Sequence, residues 1–310
     1  MPLIETVPNI SEGRRRDVIE RLVDAVDTTP GAQLLDSSSD PCHDRTVLTI
    51  VGDAAGLETA LLQLYSVATA TIDLTRHRGA HPRIGAVDVV PFVPLRHTSV
   101  ADCVSLANSL GRLVAERFNI PVFLYEDAAT RHERQALENI RRGQLEGLTR
   151  RMALPEWRPD FGPPTPHPTA GASAIGVRQV LIAFNVNLET DDVEIAHQIA
   201  RTVRSRNGGL PHLKAIGIRL SDHNRVQVSM NLTDYTKTPM HRVFNLVKRE
   251  AAKRGVSIVN TEVVGLAPAD ALIGSAVSYL RLSEFRSGQV LDARLGGWLM
   301  GPSDRTGEEI

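Results

Sequence analysis

The chain has 310 residues, of which 42% are hydrophobic and 23% charged, which predicts an ordinary globular protein with one large or two modest domains. Its formal net charge of −1 gives no whole-chain basis for binding nucleic acid or a membrane surface. Two cysteines exclude a disulfide framework, and the lack of a signal peptide or of an apolar run near the roughly 20 residues of a membrane span predicts a cytoplasmic protein.

In the first half, the apolar residues switch between the period of a strand and that of a helix. Val18, Leu22 and Val26 share one helical face, and Pro30-Gly31 ends that helix. The predicted elements are a strand at 3–10, a helix at 14–28, strands at 33–37 and 45–51, a helix at 55–73 and a strand at 85–94. Their order is β-α-β-β-α-β.

The second half repeats that order. Thr190 is a good N-cap, and Thr238-Pro239 precedes a helix that ends at Gly255. The predicted elements are a strand at 177–187, a helix from 190, strands at 213–220 and 225–233 around a turn at 221–224, a helix from 240 and a strand at 257–265. We infer an α/β (α+β) fold of two split-βαβ (ferredoxin-like) subdomains, with stacked sheets and helices on the outer faces.

Between the two units the sequence predicts a helix at 101–118, a strand at 121–125 and a basic helical stretch at 130–151. A linker with four prolines and two glycines follows at 160–171, and it is predicted to mark the boundary between the halves. The predicted domains are residues 1–175, residues 176–300 and a polar tail at 301–310.

The densest charge lies at 76–88, just before a strand. His77 and His81 are four residues apart, but Gly79 and Pro82 break any helix between them, and neighbouring arginines repel cations, so no metal site is predicted. Arginines can bind carboxylates through two N–H groups, and a histidine can move protons near pH 7. The alternative is a solvated basic turn without a role.

A second polar cluster, at 36–46, is predicted to be a loop whose Asp and Ser side chains cap backbone groups. It lacks the Gly-x-Ser-x-Gly pattern of a serine hydrolase. The chain also lacks the glycine-rich motifs of nucleotide-binding proteins. These patterns leave nucleotide and serine-hydrolase chemistry without support.

Several motifs together carry a resemblance to a known family. They are Val-Pro-Asn-Ile-Ser-Glu-Gly at 7–13, Leu-Leu-Asp at 34–36, Arg-Thr-Val at 45–47, the run at 76–92, Asp-Phe-Gly-Pro at 160–163 and the run at 181–188. In this order, from about residue 3 to residue 295, the chain resembles the glutamate formiminotransferase family.

The resemblance implies transfer of a formimino group from N-formimino-L-glutamate to tetrahydrofolate, the co-substrate, yielding glutamate and 5-formiminotetrahydrofolate. It places the catalytic histidine at His81 and favours a homodimer. No metal is expected, and the cyclodeaminase domain of bifunctional relatives is expected to be absent. The folate-binding segment falls on Gly162, Pro163, Pro164, Thr165, Pro166, His167, Pro168, Thr169, Ala170 and Gly171.

This sequence departs from the family's motifs at three places. Ala80 stands where the family usually has Glu, Asp44 replaces a common Asn, and residues 169–171 lack the Trp-Gly end of the animal enzymes. These departures concern substrate choice and folate affinity, whereas His81 is intact.

The chemistry suits the residue types. A histidine can take a proton from the attacking nitrogen and return one to the departing glutamate nitrogen, and arginines suit the carboxylates of both substrates. Asp36 or Asp40 is expected to orient His81 or to balance amidinium charge. The predicted substrate-binding residues are Asp36, Asp40, His43, Arg45, Arg76, Arg78 and Arg83.

Two other functions stay open at this point. One is formyl transfer from 5-formyltetrahydrofolate, and the other is folate binding without catalysis. For the transferase we expect His81, residues 36–45 and residues 162–171 to converge on one positively charged groove between the halves.

Overall fold

A computed structural model describes residues 2–220, 225–292 and 295. The predicted turn at 221–224 and the predicted tail at 301–310 lie outside the described residues. The chain forms a seven-stranded and a four-stranded sheet, with helices packed on both. The α/β prediction is confirmed, and the split-βαβ order is present in each sheet.

The first split-βαβ unit forms one side of the seven-stranded sheet. Its elements are β1 Ile4–Thr6, β2 Asn9–Ile10, α1 Arg16–Asp27, β3 Ala32–Asp40, β4 Arg45–Gly52, α2 Ala54–Thr71 and β5 Val87–Pro94. β1 and β2 both pair antiparallel with β4 on one side and β5 on the other, and β3 pairs with the outer edge of β4. The strand predicted at 3–10 is therefore interrupted, at Val7-Pro8, where proline has no N–H for the ladder.

Two further strands, which run parallel to β5, complete the sheet. The next elements are α3 Val100–Phe118, β6 Val122–Glu126, α4 Leu137–Ile140, α5 Gln144–Arg151 and β7 Ser173–Val177, with short 3₁₀ turns at His132–Arg134 and Pro155–Trp157. β7 pairs in parallel with β5 and β6 and lies between them. Helices α1, α2 and α3 cover one face of the sheet with a continuous apolar core.

The opposite face of β5, β7 and β6 is covered by the α4–α5 segment. Ile140, Leu148 and Met152 pack there against Phe123 and Tyr125. The single helical stretch predicted at 130–151 is wrong, because the chain breaks into separate turns. Gly143 and the residue after it have φ values of +73° and +57°, a left-handed conformation that ends a helix.

The second unit forms the four-stranded sheet, in the order β11-β8-β10-β9. Its elements are β8 Ile182–Leu188, α6 Val193–Val203, β9 Leu213–Leu220, β10 Arg225–Leu232, α7 Met240–Ala252 and β11 Ile258–Val264, followed by α8 Ala269–Leu280, with 3₁₀ turns at Ser205–Asn207 and Ser287–Gln289. Helices α6 and α7 cover the apolar face of this sheet.

Among the described residues, Lys214 and Gly265 of the second unit both approach the first unit. Lys214 of β9 forms ion pairs of 3.0 Å with both Glu126 and Glu138 of the first unit. A Cβ at Gly265, just after β11, would lie 3.7 Å from Oγ1 of Thr49 in β4.

The route of the proline-rich linker differs from the prediction. The strand predicted at 177–187 is two strands in different sheets, since Ser173–Val177 belongs to the first sheet and Ile182–Leu188 to the second. The linker therefore leads into β7 of the first sheet. The linker is not the boundary between halves, because the chain crosses from one sheet to the other at 178–181.

Residues 36–40 are also not a loop. They extend β3, pairing with Arg45–Thr49 of β4, so that the connecting turn is only residues 41–44. The alternating exposure of β3 is typical of an edge strand with one wet face. Pairing with the β-branched residues of β4 overrides the loop preference of Asp and Ser.

Candidate active site

The predicted catalytic loop lies at one end of the strands of the seven-stranded sheet, the end at which β4 and β5 begin. β4 and β5 both pair antiparallel with β1 and β2, so both strands begin at this end. The loop at 73–86, which carries His81, precedes β5, and the turn at 41–44 precedes β4. The Ala80 N–H donates to the Cys42 carbonyl (3.1 Å), and His77 Nε2 lies 2.9 Å from the Asp44 carbonyl oxygen. These contacts hold the two segments together.

His81 has two competing partners for one ring nitrogen. Its Nδ1 lies 2.9 Å from the Pro82 carbonyl oxygen and 3.1 Å from Nη1 of Arg45. A protonated Nδ1 donates to the carbonyl, whereas an unprotonated Nδ1 accepts from the guanidinium. His81 as a whole residue is partly exposed, although its ring lies among the charged side chains.

A buried carboxylate organises the positive charge beside His81. Asp88, on β5, is 0% exposed and accepts hydrogen bonds from the Ile84 N–H (2.7 Å), Arg45 Nη1 (3.0 Å) and Arg141 Nη2. We call Arg45, His81, Asp88 and Arg141 the charged cluster. One carboxylate faces two guanidinium groups, so the cluster keeps a net positive charge.

The electrostatics follow from burial and from this charge. Burial lowers the pKa of His81 well below its ordinary value, and the charges of Arg45 and Arg141 lower it further. Burial also lowers the pKa of Arg45 to about 10, which still leaves it charged at pH 7. Burial alone would raise the pKa of Asp88, but the two arginines bring it below its ordinary value. At pH 7 the cluster thus holds a neutral imidazole and an ionised carboxylate.

A second histidine stands next to the cluster. His43 Nδ1 lies 2.8 Å from Oδ2 of Asp40, and the His43 and His81 rings meet edge to face at 6.1 Å. Although burial opposes the shift, hydrogen bonds from His43 and Cys42 lower the pKa of Asp40 to about 2. His43 Nε2 is buried and has no hydrogen-bond partner among the described residues. The predicted residues Asp40, His43 and Arg45 thus converge near His81.

The other predicted substrate-binding residues do not join them. Arg83 is buried and forms two hydrogen bonds of 3.1 and 3.0 Å with the carboxylate of Glu146. Arg76 and Arg78 are exposed, and Arg78 donates to carbonyls of its own loop. Asp36 lies four residues before Asp40 on β3, about 13 Å along the strand.

The start of the proline-rich segment is fixed on the same sheet. The Asp160 carboxylate accepts from the Leu124 N–H (2.8 Å) and from Nη2 of the buried Arg134 (3.0 Å). Gly162 has a φ of +87°, and a Cβ there would lie 2.8 Å from the Ile120 carbonyl oxygen. This position therefore requires glycine.

The end of the segment lies beside the loop of His81. The Ala86 N–H donates to the Ala170 carbonyl (2.9 Å), and the Leu74 N–H donates to the Thr169 carbonyl (2.8 Å). His167 and Gly171 exchange two backbone hydrogen bonds, which close the loop on itself. Residues 163–168 span the region between these fixed ends. The segment, the loop of His81 and the turn at 41–44 thus lie at the same end of the strands of the first sheet.

Sequence reasoning assigned no role to two cluster residues. Asp88 is an acidic residue inside the apolar run Val87–Val93, and such a residue needs a buried partner, which was the available signal. Arg141 lay unmarked in a basic stretch of several arginines. The position of Arg141 beside Asp88 depends on the left-handed turn at Gly143, which the apolar pattern of the sequence did not predict.

The four-stranded sheet carries a different polar group of residues on its helix-free face. Gln227 Nε2 donates to Asn187 Oδ1 (3.0 Å) and to Glu262 Oε1 (2.8 Å), and Asn185 Nδ2 donates to the same Glu262 oxygen (3.0 Å). We call Asn185, Asn187, Gln227 and Glu262 the amide network. Gln227 is only 1% exposed.

The described residues contain neither a group of metal ligands nor a membrane-spanning helix. In residues 2–220, 225–292 and 295, no three His, Cys, Asp or Glu side chains are grouped so as to hold a metal ion. No helix in that part of the chain is long and apolar enough to cross a membrane.

Comparison with known families agrees with this geometry. Residues 3–178 match the family described as "Formiminotransferase domain, N-terminal subdomain", and residues 183–289 match "Formiminotransferase domain". The chain belongs to the formiminotransferase family. The resemblance seen in the sequence motifs is confirmed. The two matches meet at the crossing between sheets.

Two relatives of this formiminotransferase chain match over nearly their whole length. The "Glutamate formimidoyltransferase" of Streptococcus pyogenes serotype M1 is 45% identical over 91% of this chain and 95% of its own. That of Thermoplasma acidophilum is 46% identical over 95% of this chain and 98% of its own. The "Formimidoyltransferase-cyclodeaminase" of Mus musculus is 41% identical over 89% of this chain, which spans 52% of that longer protein.

Proposed function

We propose that this protein is a glutamate formimidoyltransferase, which moves the formimino group of N-formimino-L-glutamate to N5 of tetrahydrofolate. The observation that carries the proposal is that His81 belongs to the positively charged cluster and lies on a loop whose two ends are hydrogen-bonded to the segment 162–171. Membership of the family and the identity to enzymes of this name support the same reaction.

In the proposed reaction, a bond forms between N5 and the formimino carbon, and the bond between that carbon and the glutamate nitrogen breaks. His81 takes the proton that N5 loses and returns a proton to the departing nitrogen, so no net proton is consumed. A neutral imidazole is the form required to accept a proton, and the lowered pKa of His81 keeps it in that form at pH 7. In the tautomer whose Nδ1–H donates to the Pro82 carbonyl, Nε2 is the nitrogen that acts as the base.

We assign tetrahydrofolate binding to residues 162–171. Both ends of this segment are held by hydrogen bonds, and four prolines restrict what lies between them. A loop that is already shaped loses little conformational entropy when it binds a ligand. The segment thus acts as a preformed wall beside His81.

One assay tests the proposed function. Purified protein is mixed with formiminoglutamate and tetrahydrofolate, and glutamate release is followed with and without tetrahydrofolate. Release that depends on tetrahydrofolate supports the proposal. No release, with folate still bound in calorimetry, would favour a folate-binding protein, and faster turnover with 5-formyltetrahydrofolate as donor would favour formyl transfer.

We further propose that the enzyme is a cytoplasmic homodimer. Helix α8 supports this, since Leu272, Tyr279 and Leu280 are 51%, 87% and 61% exposed on one short apolar helix. An apolar patch of this kind marks an interaction surface. Analytical ultracentrifugation is expected to show a dimer that Leu272→Glu with Tyr279→Glu dissociates, whereas a monomeric unaltered chain would refute the dimer.

A further inference from the structure

The charged cluster has more positive charge than its own residues neutralise. Asp88 is the only carboxylate among its four residues, and it accepts from both Arg45 and Arg141. The Nε atom of Arg141 is buried and has no hydrogen-bond partner among the described residues. A buried donor without a partner costs free energy, as does an uncompensated buried charge. Both costs are removed when an anion binds beside Arg141.

We propose that Arg141 and Arg45 bind the α-carboxylate of N-formimino-L-glutamate, and that Asp88 is the positioning residue that holds both guanidinium groups beside His81. This inference rests on the proposed function. It gives a substrate-binding role to Arg141, and it assigns Arg83 to the Glu146 pair rather than to a substrate.

The distances select the α-carboxylate among the available anions. Arg45 Nη1 lies 3.1 Å from the His81 ring, so a carboxylate at the arginines lies next to the proton-transfer group. In formiminoglutamate only Cα separates the α-carboxylate from the nitrogen that must receive a proton. The γ-carboxylate is two methylenes further away, and the carboxylates of tetrahydrofolate are separated from N5 by the p-aminobenzoyl ring.

Binding at this place also changes the proton affinity of His81. The groups that face His81 are Arg45 from β4, Arg141 after α4, His43 from the turn at 41–44 and the Pro82 carbonyl. A bound carboxylate offsets the two arginine charges and raises the pKa of His81 in the complex. The free enzyme thus keeps His81 neutral, and the substrate makes it a stronger base when the proton must be taken up.

The test compares Arg141→Gln with Arg141→Lys, and uses Arg142→Gln as the matched control, since Arg142 is the exposed neighbour. We expect Arg141→Gln to raise KM for formiminoglutamate by about 10- to 100-fold, because a charge-assisted hydrogen bond to the substrate is lost. KM for tetrahydrofolate should change by less than about threefold. Arg142→Gln should leave both values unchanged. Equal changes for the two substrates, or none, would overturn the proposal.

The pH profile separates this role from a merely structural one. Removing a positive charge raises the pKa of His81, so the acid limb of kcat/KM in Arg141→Gln should move to higher pH. Arg141→Lys keeps the charge but loses the two-pronged geometry, so it should restore the limb while leaving KM raised. A limb that stays in place in Arg141→Gln would show that Arg141 does not act on His81.

Calorimetry distinguishes failure of this inference from failure of the proposed function. Binding of formiminoglutamate to the unaltered protein, weakened in Arg141→Gln and unchanged in Arg142→Gln, supports the carboxylate site even if no glutamate is released. Turnover with equal binding to all three proteins would refute the site and leave the transferase function standing. Asp88→Asn should weaken the same binding, and its circular dichroism spectrum and Tm show whether it folds.

Discussion

The strands β3, β4, β1–β2 and β5 of the first sheet share an order and a register with β9, β10, β8 and β11 of the second, but the two sets differ in the side chains on the face away from α1, α2, α6 and α7. Asn9 pairs with Val47, two residues after Arg45, and Asn187 pairs with Gln227, two residues after Arg225. In the first sheet the Asn9 side-chain oxygen accepts from Arg45 Nε (2.9 Å), and in the second the Asn187 oxygen accepts from Gln227 Nε2 (3.0 Å). One asparagine position thus supports a charged neighbour in one sheet and a neutral one in the other.

The different surroundings of Arg45 and Arg225, which occupy matching positions in the two sheets, explain the difference. Arg45 is buried and paired with Asp88, whereas Arg225 is partly exposed and lies 3.9 Å from the exposed Glu189. An exposed pair of this kind contributes little free energy, while a buried pair determines how its neighbours are charged. A shared fold therefore fixes positions but not chemistry, and we place the reaction on the first sheet.

The largest expected effect is that of His81→Ala. We expect kcat to fall by about 10²- to 10⁴-fold with tetrahydrofolate affinity nearly unchanged, because a proton-transfer group acts mainly in the transition state. Single-turnover kinetics and calorimetry measure the two quantities. His197→Ala, on α6 of the second unit, is the control and should be silent. Near-normal turnover in His81→Ala would move the role to His43 or His77.

Asp88→Asn and Glu262→Gln test how much one carboxylate in each sheet contributes to the free energy of unfolding. Asp88 is buried between two arginines, so its loss should lower the free energy of unfolding by about 3–5 kcal/mol, whereas the exposed Glu262 should contribute less than about 1 kcal/mol. The folded pKa of Asp88 is lowered, so its stabilisation is present above the unfolded pKa and is lost as pH falls through the folded pKa. Urea titrations at pH 7 and pH 3 measure both effects, and similar losses for the two variants would erase the contrast.

Replacing residues 163–168 with glycine and serine should affect binding more than stability. The fixed ends of the segment remain, but the restricted middle is lost, so tetrahydrofolate affinity should fall by about tenfold while Tm changes by only a few degrees. Calorimetry and thermal unfolding measure the two changes. A collapse of Tm, with unchanged affinity in the folded fraction, would make the segment structural only.

The order of helices and strands along the chain was predictable from the sequence in both units, because apolar periodicity is a local signal that survives folding. The places of Arg45, His43 and His81 were predictable for the same reason, since Arg45 begins β4, His43 lies in the turn before it and His81 lies in the loop that leads into β5. Arg141 was not, because its place beside Asp88 depends on a left-handed turn and on long-range packing. The boundary between the halves was predicted at the wrong place because the sequence of 173–188 has one continuous β-like pattern. No local signal shows that this stretch divides into β7 of one sheet and β8 of the other.

The smallest expected effect is that of Gln227→Met in the amide network. The Oε1 atom of Gln227 is buried without a hydrogen-bond partner among the described residues, so the native amide already carries a cost that an apolar side chain of similar size removes. The acceptors it leaves, on Asn187 and Glu262, are within reach of water because neither residue is buried. We therefore expect the free energy of unfolding to change by less than about 1 kcal/mol, and kcat by less than about threefold. A fall in kcat near that of His81→Ala would mean that the second sheet also touches the reacting groups, and the contrast between a charged and a neutral face would no longer separate chemistry from scaffold.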